Sequence, residues 1–230
     1  MNKSNKRIEE ELKKFDYNNN KLKLTFGVLV VIFLCSFLIV IATFTELSFS
    51  TNKLPTEALR HPWYYLTHVD GAFAQFILGS NHIPQIPVII FIAALLGSRF
   101  GLISVVLYIV AGLAGVPVFA LGGGSQYVFE YNFGYILAYL PAVVVAGNIL
   151  GSKLSFKNAL KAVFFGVLLI HFIGIMYTAI VIIFRHDSYR LFMDMVAIQS
   201  GVRIIYDCIF SLLAVLIARP VKKILWLAMG

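Results

Sequence analysis

Residues 24–44 read LTFGVLVVIFLCSFLIVIATF, flanked by Lys23 and Glu46, with no Asp, Glu, Lys or Arg between them. An ionised side chain at the centre of a bilayer costs at least about 2.5 kcal/mol, so a long uncharged run marks chain that hydrocarbon accepts. At about 1.5 Å per residue the run covers the ~30 Å of a bilayer interior. It predicts a transmembrane helix, Leu24–Phe44, and the same test organises the rest of the chain. Of the 230 residues, 60% are hydrophobic and 13% charged, with a mean hydropathy of +0.86. Soluble domains carry about 25% charged residues, so a water-soluble fold is excluded.

Working outward, Gly71 to Ser98 is uncharged apart from a neutral His82, but Pro84 and Pro87 interrupt a helical ladder. A second, short helix is therefore expected over Ile83–Gly97. The apolar chain from Phe100 to Ser152 holds one charge, Glu130, and the run Gly122-Gly123-Gly124 supplies a turn. Helices over Gly101–Leu121 and Phe133–Leu150 follow. Ala162–Phe184 is a fifth run and Ala197–Ala218 a sixth, the last carrying Arg203 and Asp207. The expectation is an all-α membrane protein with a bundle of six transmembrane helices over residues 24–218. A charged tail (1–23) precedes the bundle and a short basic tail (219–230) follows it.

Lysine and arginine set the orientation. The amino-terminal tail holds seven, the second loop Arg99, the fourth loop Lys153, Lys157 and Lys161, and the carboxyl tail Arg219, Lys222 and Lys223, fourteen in all. The alternate side has four: Lys53, Arg60, Arg185 and Arg190. The positive-inside rule places both termini in the cytoplasm. The net charge of +8 is thereby used on orientation and anionic headgroups, and implies no nucleic-acid partner. Cys35 and Cys208 fall inside predicted helices as buried thiols, without the spacing of a disulfide framework or zinc site.

The sequence lacks G-x-x-x-x-G-K-[ST], so ATP coupling would have to come from a partner. It also lacks H-E-x-x-H and G-x-S-x-G, which removes the commoner metalloenzyme and hydrolase readings; neither cofactor nor metal is called for. The outward loops stand out instead. Loop one carries His61-Pro62-Trp63-Tyr64-Tyr65, loop three is glycine-rich and aromatic from Gly122 to Asn132, and loop five carries Arg185, His186, Asp187, Tyr189 and Arg190. Aromatic rings with glycine turns can form a lid, or can simply sit in an interfacial belt. Arg203 and Asp207 lie four residues apart on one helical face, either neutralising each other or contacting a ligand. His171 is read as hydrogen-bonded to a neighbouring helix, and Gly147-x-x-x-Gly151 as a site of close helix approach.

The segment Leu96-Gly97-Ser98-Arg99-Phe100-Gly101, then Leu107 to Phe119 (LYIVAGLAGVPVF) and Gly122-Gly123-Gly124, resembles the BioY family of biotin transporter proteins. Phe133-Gly134-Tyr135 with Pro141, Ala142 and Gly147 is similar to that family's next helix. The resemblance implies the substrate-binding S-component of an energy-coupling-factor vitamin importer in a bacterial plasma (inner) membrane. It would bind biotin or a similar small vitamin near the outer face, with a transmembrane coupling subunit and ATPases as an energising module. Two positions depart from the family. The last helix reads Gly201-Val202-Arg203-Ile204-Ile205-Tyr206-Asp207 without the family's lysine, and the first reads Gly27-x-x-x-Val31 where the family has a docking spacing.

A biotin site needs a cation or strong donor for the valerate carboxylate, amide or hydroxyl partners for the ureido ring, and apolar walls. Arg203 is the cation expected inside a span, with Asp207 one turn deeper and Gln126, Tyr127 and Asn132 as polar partners. Backbone amides of Gly122, Gly123 and Gly124 are the alternative carboxylate holders. The competing readings are a subunit for a different vitamin or carboxylated ligand, a membrane scaffold without a ligand site, and an intramembrane enzyme.

Overall fold

The computed structural model describes residues 25–48, 54–79, 81–152 and 155–229. The charged tail 1–23 lies outside them. The chain is helical: α1 (Phe26–Thr43), α2 (Thr56–Arg60), α3 (Pro62–His68), α4 (Ala72–Gly79), α5 (Gln85–Leu113), α6 (Phe133–Ser152), α7 (Phe156–Arg185), α8 (Tyr189–Val196) and α9 (Arg203–Met229). A 3-10 turn, Ser125–Phe129, precedes α6, and a π-turn, Ala197–Gly201, joins α8 to α9. Five stretches are long and apolar enough to cross a membrane: α1, α5, α6, α7 and the run Tyr189–Leu225.

The Thr25 side chain caps α1 by accepting a hydrogen bond from the Val28 amide. Val28, Ile32, Cys35, Ile39 and Ala42 recur every three to four residues and are buried, while Phe26, Leu29, Phe33 and Phe37 on the other faces are exposed. On α7 Phe164, Leu168, Phe172 and Ile183 are likewise exposed. In water such a surface would be an aggregation site; in lipid it needs no cover. Small residues line the inside. Ala138, Ala142 and Ala146 of α6 and Ala159 and Ala162 of α7 have no exposed surface, so the two backbones approach closely.

Gly97 divides α5. Its φ of 74° and ψ of −175° lie outside the helical region, and glycine adopts them without a Cβ penalty. The chain folds back there. A Cβ on Gly101 would sit 3.5 Å from Ile92 Cγ2, and the Gln85 amide donates to the Tyr108 hydroxyl at 3.4 Å. In a straight helix residues 85 and 108 would lie about 35 Å apart. Residues 85–96 and 98–113 are thus two limbs of a helical hairpin, the first buried at Ile89, Ile90, Ile92, Ala93 and Ala94. Ser104 on the second limb donates to the Ile32 carbonyl and ties it to α1.

The sequence reading carries the third helix to Leu121, but the helix stops at Leu113. The Gly115 amide bonds the Gly112 carbonyl and the Val116 amide bonds the Ala111 carbonyl. This is a Schellman stop with Gly115 at a φ of 103°, followed by Pro117. Residues 114–124 instead form a compact turn that bridges Phe119 to Gly122 and bonds the Gly124 amide back to Gly112. Three further boundaries differ. The second helix starts at Gln85 rather than Ile83, the fifth at Phe156 rather than Ala162, where Ser155 caps it, and α9 runs on through residues 219–229.

Loop one, with no predicted helix, holds α2, α3 and α4 as a lid. Leu54, Ala58, Tyr65, Ala72 and Phe76 form its own small core with Val202 of the π-turn end. The Tyr206 hydroxyl donates to the Ile77 carbonyl, and the Trp63 amide to Asp194 of α8 at 3.2 Å.

Candidate ligand-binding site

Between α5, α6 and α9 lies a cavity of about 100 Å³ that opens to the outside. Ile83, Ile86, Ile136 and Ala120 supply apolar wall, and His82, Gln85, Tyr127, Asn132, Tyr139 and Arg203 supply polar atoms. Each polar group has a structural reason for its place. His82 precedes α5 because its backbone forms a two-bond bridge with Leu47, at 2.8 and 2.9 Å. Its ring packs against both Tyr206 and Phe210, at centroid distances of 5.5 and 5.3 Å.

Gln85, at the start of α5, is locked from three sides. Its amide nitrogen donates to Thr43 Oγ1 at 2.7 Å and to Tyr108 at 3.4 Å, and its oxygen accepts from the Tyr139 hydroxyl at 3.1 Å. Thr43 spends its own proton on the Ile39 carbonyl, so in its 3.2 Å contact with Tyr108 the tyrosine is the donor. The network leaves little rotational freedom to a side chain that lines the cavity. Tyr127 is held in an aromatic cluster, tilted against Phe119 at 4.5 Å and edge-to-face with Phe133 at 6.2 Å. Burial raises its phenol pKa, so the hydroxyl stays protonated. Asn132 Oδ1 is buried without a hydrogen-bond partner and is the acceptor that a ligand would satisfy.

Arg203 and Asp207 do not pair with each other within 4.0 Å. Asp207 is buried beside two histidines: His171 Nε2 is in hydrogen-bond contact, 3.2 Å from Oδ2, while His82 Nε2 lies 3.7 Å from Oδ1 and neither ring nitrogen of His82 is hydrogen-bonded. His171 continues through Nδ1 to Ser200 Oγ at 2.9 Å, and Ser200 to the Tyr135 hydroxyl at 2.7 Å. Burial lowers the pKa of His82, against the opposite pull of Asp207. Arg203 donates to Gln199 at 3.2 Å and is in no ion pair among the described residues. A guanidinium offers five donors, and Arg203 lines the cavity.

Of the residues expected from sequence, Arg203, Asp207, Tyr127 and Asn132 line this cavity together. Gln126 and the glycines lie elsewhere. Gln126 turns back to donate to the Gly123 carbonyl, and the Gly122 and Gly124 amides are spent on Phe119 and Gly112 carbonyls. A Cβ on Gly123 would run into the Val116 carbonyl, so this glycine permits a close backbone crossing. In loop five Asp187 accepts from Tyr131 at 2.7 Å and Arg185 donates to the Phe129 carbonyl at 2.9 Å, fastening loop three. His82, Gln85 and Tyr139 were not foreseen as lining residues. Their signal is faint in sequence, since each is a neutral polar group among apolar neighbours.

A bundle clad in apolar side chains, with a polar chamber between α5, α6 and α9, has the make-up of a multi-pass membrane protein. The BioY family model matches residues 66–226, and the chain belongs to the BioY family. It is 35% identical over 115 residues to a probable biotin transporter BioY of Lysinibacillus sphaericus, covering 46% of this chain and 56% of that protein. A second, from Pyrococcus horikoshii, is 33% identical over 110 residues, with 46% and 65% covered. The matches therefore span less than two thirds of these two relatives. The biotin transporter BioY of Thermotoga maritima is 28% identical over 160 residues, 68% of this chain and 89% of that one. The 2.1 Å crystal structure of the S-component for biotin from an ECF-type ABC transporter superposes with a TM-score of 0.61 at 22% identity. It covers 87% of this chain and 95% of that one, a likeness of fold.

Proposed function

We propose that this chain is the substrate-binding membrane subunit of a biotin importer in a bacterial plasma membrane, powered by a separate coupling subunit with ATPases. The observation that carries the reading is the chamber itself. Arg203, in no ion pair among the described residues, lines a cavity together with the buried Asp207 carboxylate and the His82 ring, and the other polar groups there are neutral amides and hydroxyls beside apolar walls. Biotin has matching parts: a carboxylate for Arg203, ureido N–H groups for the Asn132 oxygen, and a hydrocarbon tail for Ile83, Ile86 and Ile136. Six crossings with both termini in the cytoplasm are supported by the hairpin at Gly97, because α1 then begins and α9 finishes at the end away from the chamber. The fourteen-to-four distribution of lysine and arginine orients the chamber outward.

Radiolabelled biotin binding to purified protein, and uptake by cells with and without an energising module, test this reading. Saturable binding is expected. Its absence in folded protein would leave the scaffold reading. A different carboxylated ligand is favoured by two observations, that the family's lysine is missing from α9 and that Asp207 is already hydrogen-bonded to His171. Competition of biotin with other carboxylated vitamins decides between the two.

A further inference from the structure

The chamber contains a charge cluster larger than a carboxylate-binding site requires. Asp207 is 3% exposed and lies within 3.2 Å of His171 and 3.7 Å of His82. Three separate elements bring the group together: His82 before α5, His171 on α7 and Asp207 on α9. One turn from Asp207, Arg203 lines the same cavity. The other groups facing the cluster are uncharged in their ordinary forms: the Tyr135 and Tyr139 hydroxyls of α6 and the Tyr206 hydroxyl and Cys208 thiol of α9. Glu46 at the end of α1 is exposed, and its carboxylate takes a hydrogen bond from Asn81 at 2.9 Å.

Charge can then be counted for an empty and an occupied chamber. With both imidazoles neutral, Asp207 and Arg203 sum to zero. A bound carboxylate would bring the total to minus one in a poorly solvated site, where an uncompensated charge is costly. A proton on the two histidines and Asp207 returns the sum to zero. We infer that the His82–Asp207–His171 cluster is a proton-binding site coupled to the chamber, so that a carboxylate ligand is bound together with one proton. This rests on the biotin-binding reading above.

The sign follows from linkage. The occupied chamber favours the protonated cluster, so binding takes up a proton wherever the empty cluster is unprotonated. Affinity for the anion then falls as pH rises, by up to about tenfold per pH unit across the window between the empty and occupied titrations. Titration calorimetry of the full chain with biotin, in two buffers of different ionisation enthalpy near neutral pH, reads the proton directly. Uptake of between about 0.5 and 1 proton per biotin is expected, and near zero for biotin amide, which presents no anion. Asp207→Asn removes the negative charge that calls for the proton. In that variant uptake should vanish and biotin affinity should become flat with pH. Tight binding of biotin by the wild-type chain with no proton uptake overturns the linkage while leaving the biotin reading intact. No binding of biotin by folded protein overturns both.

Discussion

In the proposed reading, Arg203 holds the ligand's carboxylate and the affinity of the site turns on it. Hydrogen bonds to charged groups contribute about 1.5–3 kcal/mol, so Arg203→Ala should weaken biotin binding roughly ten- to 150-fold. Arg203→Lys should recover part of this, because an ammonium restores charge without the planar fork that holds both carboxylate oxygens. The loss should be much smaller for biotin amide, and equilibrium binding of both ligands checks it. Normal binding of the acid by Arg203→Ala would move the carboxylate elsewhere. Asn132→Ala should remove the acceptor for a ureido N–H and cost about 1 kcal/mol, measured the same way. Arg203 and Asp207 are legible in sequence because charges inside an apolar run are conspicuous. Their actual partners are not. The 203/207 spacing suggests an intrahelical pair, whereas Asp207 meets histidines 36 and 125 positions away in the chain. Only tertiary packing creates those contacts.

At the scale of the element, two glycines in one helix make opposite predictions. A Cβ on Gly147 would approach Ser98 Cα to 2.7 Å across the α5 turn, a backbone contact that cannot swing aside. Gly147→Ala should therefore destabilise by about 1–3 kcal/mol. Gly151 has nothing within 4 Å, so Gly151→Ala should be neutral or stabilise by up to about 1 kcal/mol through helix propensity. Thermal unfolding in detergent separates them, and equal shifts would refute the packing argument. The Gly147-x-x-x-Gly151 spacing indicates close approach, but says nothing of which glycine makes it. The lid offers a kinetic test. Asp194 accepts from the Trp63 amide and lies 3.9 Å from His61, so Asp194→Ala should speed ligand release by at most about fivefold, since exposed pairs contribute little. Hydropathy does not reveal the lid because its helices are short and mixed in polarity. It also extends the third helix past Leu113, since Val116 to Leu121 is as apolar as the helix before it, although Gly115 and Pro117 carry the stop signal.

Across the whole molecule, uncharged runs locate the long apolar helices to within a few residues at most ends, because the cost of burying charge in lipid is large and local. Orientation is the part to be measured. Single cysteines at Ser125 or Asn132 should react with impermeant reagents added outside intact cells, and one at Ser155 only after permeabilisation; the reverse pattern would invert the site. The buried limb 85–96 has a further consequence. It is about 18 Å long against ~30 Å of hydrocarbon. In the proposed orientation, with Arg99 at the inner interface, Gln85 and the chamber floor would lie below the outer surface by about two fifths of the span, inside the electric field of an energised membrane. A bare anion descending to that depth works against an inside-negative voltage, at roughly 1 kcal/mol per 100 mV. An anion that arrives with its proton carries no net charge and meets no such barrier. In proteoliposomes under an imposed potassium diffusion potential, biotin affinity should therefore stay constant as the voltage changes.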